Sequence, residues 1–117
     1  MTKFAWRIVL TAAASAAALT AAPAWADAEL AKAKYCLACH ATDKKVIGPA
    51  YKDIAARYAG QGGAAARLTE RIMKGTDATG GTVWSGASDP KGVPMPANPQ
   101  VSSDEAKKLA AWVLSIK

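Results

Sequence analysis

Three residues suited to covalent and metal chemistry fall within five positions. Cys36 and Cys39, the only cysteines, and His40, the only histidine, form the run Cys36-Leu37-Ala38-Cys39-His40. Thiols three residues apart can each add to a vinyl group of one porphyrin, and an imidazole in the next position then lies beneath the ring with a nitrogen toward iron. C-x-x-C-H at this spacing is the attachment signature of a c-type haem. The other uses of such a pair each lack a part. A thioredoxin-like dithiol sits in a βαβ setting with an activated first thiol, and no strand pattern precedes Cys36. A structural zinc site needs four ligands, and no further Cys or His exists to complete one. A disulfide across two intervening residues closes too small a loop to stabilise much. One covalently held haem c, with His40 as an axial ligand, is the chemistry expected.

The opposite axial site then needs a ligand. With a single histidine, bis-histidine ligation is excluded. Met73 follows Ile72 inside a helical pattern, where methionine usually fills gaps in a core. Met95 lies in Val93-Pro94-Met95-Pro96, where prolines on both sides restrict the backbone and can hold the thioether in a fixed direction. His/Met ligation raises the reduction potential, and a filled sixth site denies the metal to substrates. The expected function is outer-sphere transfer of single electrons, not catalysis. Two other classes stay open on these residues: a haem enzyme or gas sensor whose Met95 is displaceable, and a haem subunit of a larger oxidoreductase.

The elements that must position these residues are helical. Apolar residues at Leu30, Ala33 and Leu37 predict a helix over 28–36 that delivers the haem motif at its end. Gly48-Pro49 forces irregular backbone, and the Pro49 carbonyl is a candidate acceptor for the His40 ring; a simple turn is the alternative. Shorter helices are expected over 51–57 and 64–74, the second stopped by Gly75. No periodicity is visible over 76–99, which reads as a long loop. Ser102 and Glu105 form a capping box opening a last helix whose stripe is Ala106, Leu109, Ala110 and Val113, with Trp112 as a packing residue. There is no strand alternation, so the class is all-α, with about four helices.

The chain has 117 residues and a formal charge of +6, enough for one small domain. Lys3 and Arg7, an alanine-rich apolar run over 8–22, and Ala24-Trp25-Ala26 describe a secretory signal peptide cleaved after Ala26. The run is short and weakly apolar for a membrane span of about 20 residues; an uncleaved anchor is the alternative. Residues 27–117 remain as the domain, in the periplasm if the host is a Gram-negative bacterium, with the charge lowered to +4 by the loss of Lys3 and Arg7. The aliphatic and aromatic residues left make a modest core for a domain of that size; a buried haem adds the missing apolar mass. Lys32, Lys34, Lys44, Lys45, Lys52 and Arg57 cluster around the haem motif. They are expected either to steer the protein to an acidic redox partner or simply to solubilise its surface. No nucleic-acid partner and no permanent membrane insertion are expected.

Tyr35 to Ala41, Ile47 to Asp53, Arg71-Ile72, Val83-Trp84, Pro94-Met95-Pro96, Ser103 to Ala106 and Ala111 to Leu114 together resemble the small bacterial class I cytochromes c of the c-551 type. The resemblance covers nearly all of 27–117. It implies a few helices wrapped around one haem, crossing terminal helices, and single-electron shuttling in the periplasm; separately, a monomer is expected. It implies thioethers at Cys36 and Cys39, axial ligation by His40 and Met95, and Pro49 as acceptor for the His40 ring. It also implies Arg71 and Trp84 near a haem propionate and Asn98 close to the Met95 sulfur. The chain departs from the family pattern in a longer connection over 76–93 and in Pro99-Gln100 after Asn98.

Overall fold

The computed structural model describes residues 24–79 and 92–117; positions 1–23 of the expected leader, and Trp84, lie outside them. The described residues form four helices, α1 (Ala24–Ala33), α2 (Tyr51–Tyr58), α3 (Ala64–Ala78) and α4 (Ser103–Ser115), with a 3₁₀ turn at Cys36–Ala38. Among the described residues the sole strand-like feature is one isolated antiparallel bridge between His40 and Lys45. None of the described helices is long and apolar enough to cross a membrane.

The capping box predicted for α4 is formed. The Ser102 hydroxyl accepts from the Glu105 amide at 3.2 Å, and the Glu105 carboxylate accepts from the Ser102 amide at 2.9 Å, so two otherwise orphaned donors are satisfied. The apolar stripe of α4 buries Ala106, Leu109, Ala110 and Val113, and α4 packs against α1, α2 and α3. Ala106 and Ala110 have no exposed surface; side chains this short allow neighbouring backbones to come close.

α1 ends earlier than the predicted 28–36 helix. The Lys34 amide still donates to the Leu30 carbonyl, but the Tyr35 amide turns back to Lys32, and Tyr35 takes a left-handed conformation at φ 64°. A non-glycine residue there is uncommon, and it breaks the helix just before the haem motif. Cys36–Ala38 then form the 3₁₀ turn. Side chains at i and i+3 eclipse in that geometry, which brings Cys36 and Cys39 side by side. The His40 amide closes onto the Cys36 carbonyl at 3.0 Å.

Lys34, one of the clustered lysines, is engaged within the fold. Its ammonium pairs with Glu105 at 3.0 Å and donates to the Gln100 carbonyl, while the Gln100 amide returns to the Lys34 carbonyl at 3.1 Å. These bonds tie the end of α1 to the start of α4. The Ser102 amide foremost, and then Lys34, hold the Glu105 carboxyl below its ordinary value. A lowered folded-state value means that this carboxylate stabilises the fold above the ordinary glutamate range and ceases to do so as pH falls through the folded value. The melting-temperature difference between wild type and Glu105→Gln is therefore expected to favour wild type at neutral pH and to close on acidification; a difference that persists unchanged at low pH would contradict this role.

Candidate functional site

The buried core is small. Ala31, Val101, Ala106 and Leu109 form its centre, with Leu30, Ile72, Met73 and Trp112 against them. No large side chain among the described residues is fully buried. The larger apolar residues instead face a cleft of about 510 Å³, walled by Ile47, Ile54, Leu68, Ile72, Val93 and Val113, with Cys39, His40, Arg57, Arg71 and Met95 also at its surface. Apolar walls around open volume are unfavourable in water, so these walls are built for an apolar occupant.

His40 is fixed from several directions. Its Nδ1 donates to the Pro49 carbonyl at 2.7 Å. A carbonyl can only accept, so Nδ1 carries the proton and Nε2 keeps the lone pair a metal needs. Gly48 lies so close that a Cβ there would stand 2.6 Å from His40 Cε1; only glycine leaves room for the ring. Tyr51 stacks on the imidazole with centroids 5.2 Å apart, and Trp112 meets Tyr51 edge-on at 5.1 Å. The loop carrying Gly48 and Pro49 is held by bonds from the Gly48 amide to the Cys39 carbonyl, and from the Tyr51 and Lys52 amides to Ala41 and Thr42.

Burial pushes the Cys36 thiol up from its ordinary value and the Tyr51 phenol well above the usual tyrosine range. A dithiol oxidoreductase needs a first thiol shifted the other way, so the environment of Cys36 disfavours that use of the pair.

Of the two candidate methionines, Met95 lines the cleft and Met73 packs against the core. Met95 is delivered by the end of α3. Gly75, at φ 80° and ψ 177°, breaks the helix where the sequence predicts a stop; a single further turn follows to Ala78. In an unbroken helix the Thr76 amide would bond the Ile72 carbonyl. It donates instead to the Met95 carbonyl at 2.9 Å, while the Ile72 carbonyl accepts from Asn98 Nδ2 at 2.8 Å. The Asn98 amide takes the Met73 carbonyl, and the Met95 amide donates to Thr76 Oγ1 at 3.0 Å. Thus the 95–98 segment replaces the missing helical bonds.

Arg71 lines the cleft, its Nε donating to Thr79 Oγ1 at 2.9 Å; its expected companion Trp84 is outside the described residues. The Asn98 side chain spends its donors on the Ile72 and Pro96 carbonyls, so it bonds the backbone that carries Met95. Gly48 and Thr76 escaped the sequence reading. The signal for Thr76 was present: Pro94 and Pro96 lack N–H groups, leaving Met95 the lone donor of its tripeptide and in need of a partner.

The donor set suits a haem: the Cys39 thiol, an imidazole with its Nε2 lone pair available and the Met95 thioether line one apolar cleft, while Cys36, at the start of the 3₁₀ turn that leads to Cys39, packs against the core. The cytochrome c family model matches residues 27–117. The chain belongs to the cytochrome c family. Cytochrome c-551 of Pseudomonas aeruginosa is 52% identical over 101 residues, 85% of this chain and 86% of that one. Cytochrome c-552 of Nitrosomonas europaea is 45% identical, over 89% of this chain and 91% of that one. The crystal structure of wild-type Nitrosomonas europaea cytochrome c552 superposes with a TM-score of 0.64 at 44% identity, covering 77% of this chain and 99% of that one. A class 1 cytochrome of Sideroxydans lithotrophicus gives a TM-score of 0.63 at 29% identity, over 82% and 98% of the two chains. This cytochrome is accordingly an electron carrier rather than an enzyme, and its cofactor is one covalently attached haem c.

Gly75, like Gly48, tolerates no side chain. Its backbone conformation is nearly exclusive to glycine, and a Cβ would stand 2.7 Å from both the Met95 carbonyl oxygen and the Ala97 nitrogen. Gly60 also has a positive φ, 72°, but open space around it. In denaturant unfolding of the haem-loaded protein, Gly60→Ala is expected to cost about 1 kcal/mol and Gly75→Ala about 3 kcal/mol or more. Equal costs would show that the close approach at Gly75 does not matter.

Proposed function

We propose that this cytochrome is a periplasmic shuttle for single electrons, with Cys36 and Cys39 as thioether links and His40 and Met95 as axial ligands. The observation that carries this reading is that one apolar cleft brings together His40, with its Nε2 lone pair available, and Met95, the methionine lining it among the described residues. Residues 1–26 serve as a cleaved signal peptide and 27–117 as the exported domain, a monomer. Pro49 orients the His40 ring; Arg71, together with Trp84, serves a haem propionate, and Asn98 holds the Met95 segment.

When bound, the haem supplies a metal that changes oxidation state by one electron. The chain supplies everything around that change. The Pro49 bond, the Gly48 contact and the Tyr51 stack hold His40 still, and Thr76 holds Met95, so neither ligand has far to move when charge changes. Ile54, Leu68, Ile72 and Val113 keep water from the cleft. At its edge Ile47 and Val93 remain about half exposed, at 51% and 52%, beside a sequence rich in exposed lysines, Lys44, Lys45 and Lys52. An apolar contact with a basic surround suits a brief, salt-sensitive encounter with an acidic redox protein.

The visible spectrum with added carbon monoxide tests the ligand set. Wild type is expected to be low-spin, with a weak far-red iron–sulfur charge-transfer band in the oxidised form and no shift with carbon monoxide when reduced. Met95→Ala is expected to lose the band and bind carbon monoxide. A high-spin wild type, or one that binds carbon monoxide readily, would contradict His/Met ligation.

A further inference from the structure

We propose that Thr76 is a positioning residue for Met95, and that its hydroxyl sets how readily Met95 gives up the sixth site. The inference rests on the reading of Met95 as axial ligand. Pro94 and Pro96 carry no N–H, so the Met95 amide is the single donor of Pro94-Met95-Pro96. It donates to Thr76 Oγ1 at 3.0 Å, and the Met95 carbonyl accepts from the Thr76 amide at 2.9 Å. Both backbone groups of the ligand residue are therefore held by one residue.

Thr76 is 4% exposed, so water does not readily replace its hydroxyl. Gly75 allows this approach, because a side chain there would strike the Met95 carbonyl. On either side of Met95 the chain is open: Val93, Pro94, Pro96 and Ala97 are all exposed, and the next tie to α3 is Asn98. Two bonds flanking the Cα of Met95 fix its φ and ψ, and with them the direction in which the thioether leaves the backbone.

Removing the hydroxyl while keeping the volume leaves the Met95 amide without its partner only while the segment is docked. The undocked segment hydrates that amide, so the loss falls on the ligated state and shifts the equilibrium toward release. An added ligand that competes for ferric iron reads this shift directly. Thr76→Val is expected to bind imidazole about tenfold more tightly than wild type, the scale set by one unsatisfied buried amide, with the far-red band bleaching at correspondingly lower imidazole. Thr76→Ser, which retains the acceptor, is expected to return the affinity to near the wild-type value; a purely volumetric role for Thr76 would make serine the worse of the two.

Imidazole affinity of Thr76→Val within twofold of wild type would overturn the proposal, as would a serine variant as perturbed as the valine. A wild type lacking the far-red band would instead overturn the His/Met reading beneath it. Hydrogen exchange of the Met95 amide in the haem-loaded wild type decides the matter even if Thr76→Val does not fold: strong protection is expected, and exchange at the rate of an open loop would overturn the proposal.

Discussion

The hydrogen bond that α3 does not make governs this structure. A helix continuing past Gly75 would spend the Thr76 amide on the Ile72 carbonyl and keep its partners to itself. Because Gly75 turns out of the helical region, the Thr76 amide and the Ile72 and Met73 carbonyls become available together. The 95–98 segment takes all three, through the Met95 carbonyl, the Asn98 side chain and the Asn98 amide. Buried backbone groups must be paired, so the break and the docking of Met95 are two aspects of one requirement. Asn98 in turn accepts from Gln100, and Gln100 bonds Lys34 beside the haem motif. The segment bearing Met95 and the segment bearing His40 are thus joined by a continuous polar chain.

Around that frame the helices do little to fill their own interior. Their most deeply buried positions are largely alanines, which let α4 sit close to its three partners, and of the larger apolar side chains on the cleft walls Ile47, Ile54, Ile72 and Val93 are left partly exposed. A domain of this size buries a limited share of its surface by itself. A covalent haem can supply apolar volume that the side chains do not, and burying its apolar surface in the cleft would favour the folded chain.

Much of this was legible in the sequence because the chemistry depends on local spacing. The haem motif needs five consecutive residues, the α4 capping box four, and the prolines beside Met95 mark it out from Met73. Gly75 was readable as a stop because glycine ends helices. Other features depend on what lies across the fold. Tyr35 turns left-handed without the glycine or asparagine that normally signals such a turn. Lys34 resembled its neighbouring lysines until Glu105 and Gln100 appeared beside it. Gly48 read as a loop glycine because the imidazole that excludes a side chain there is eight residues away. Thr76 read as the start of a loop, although two prolines 18 and 20 residues later already left one amide in need of an acceptor.

X-ray absorption at the iron edge of the haem-loaded protein measures the claim on which all of this turns. One sulfur together with a shell of nitrogens is expected around iron in both oxidation states, since Thr76 and the Asn98 bonds hold the Met95 segment whatever the charge on the metal. A shell of light atoms alone would contradict ligation by Met95, and with it the role assigned to the break at Gly75.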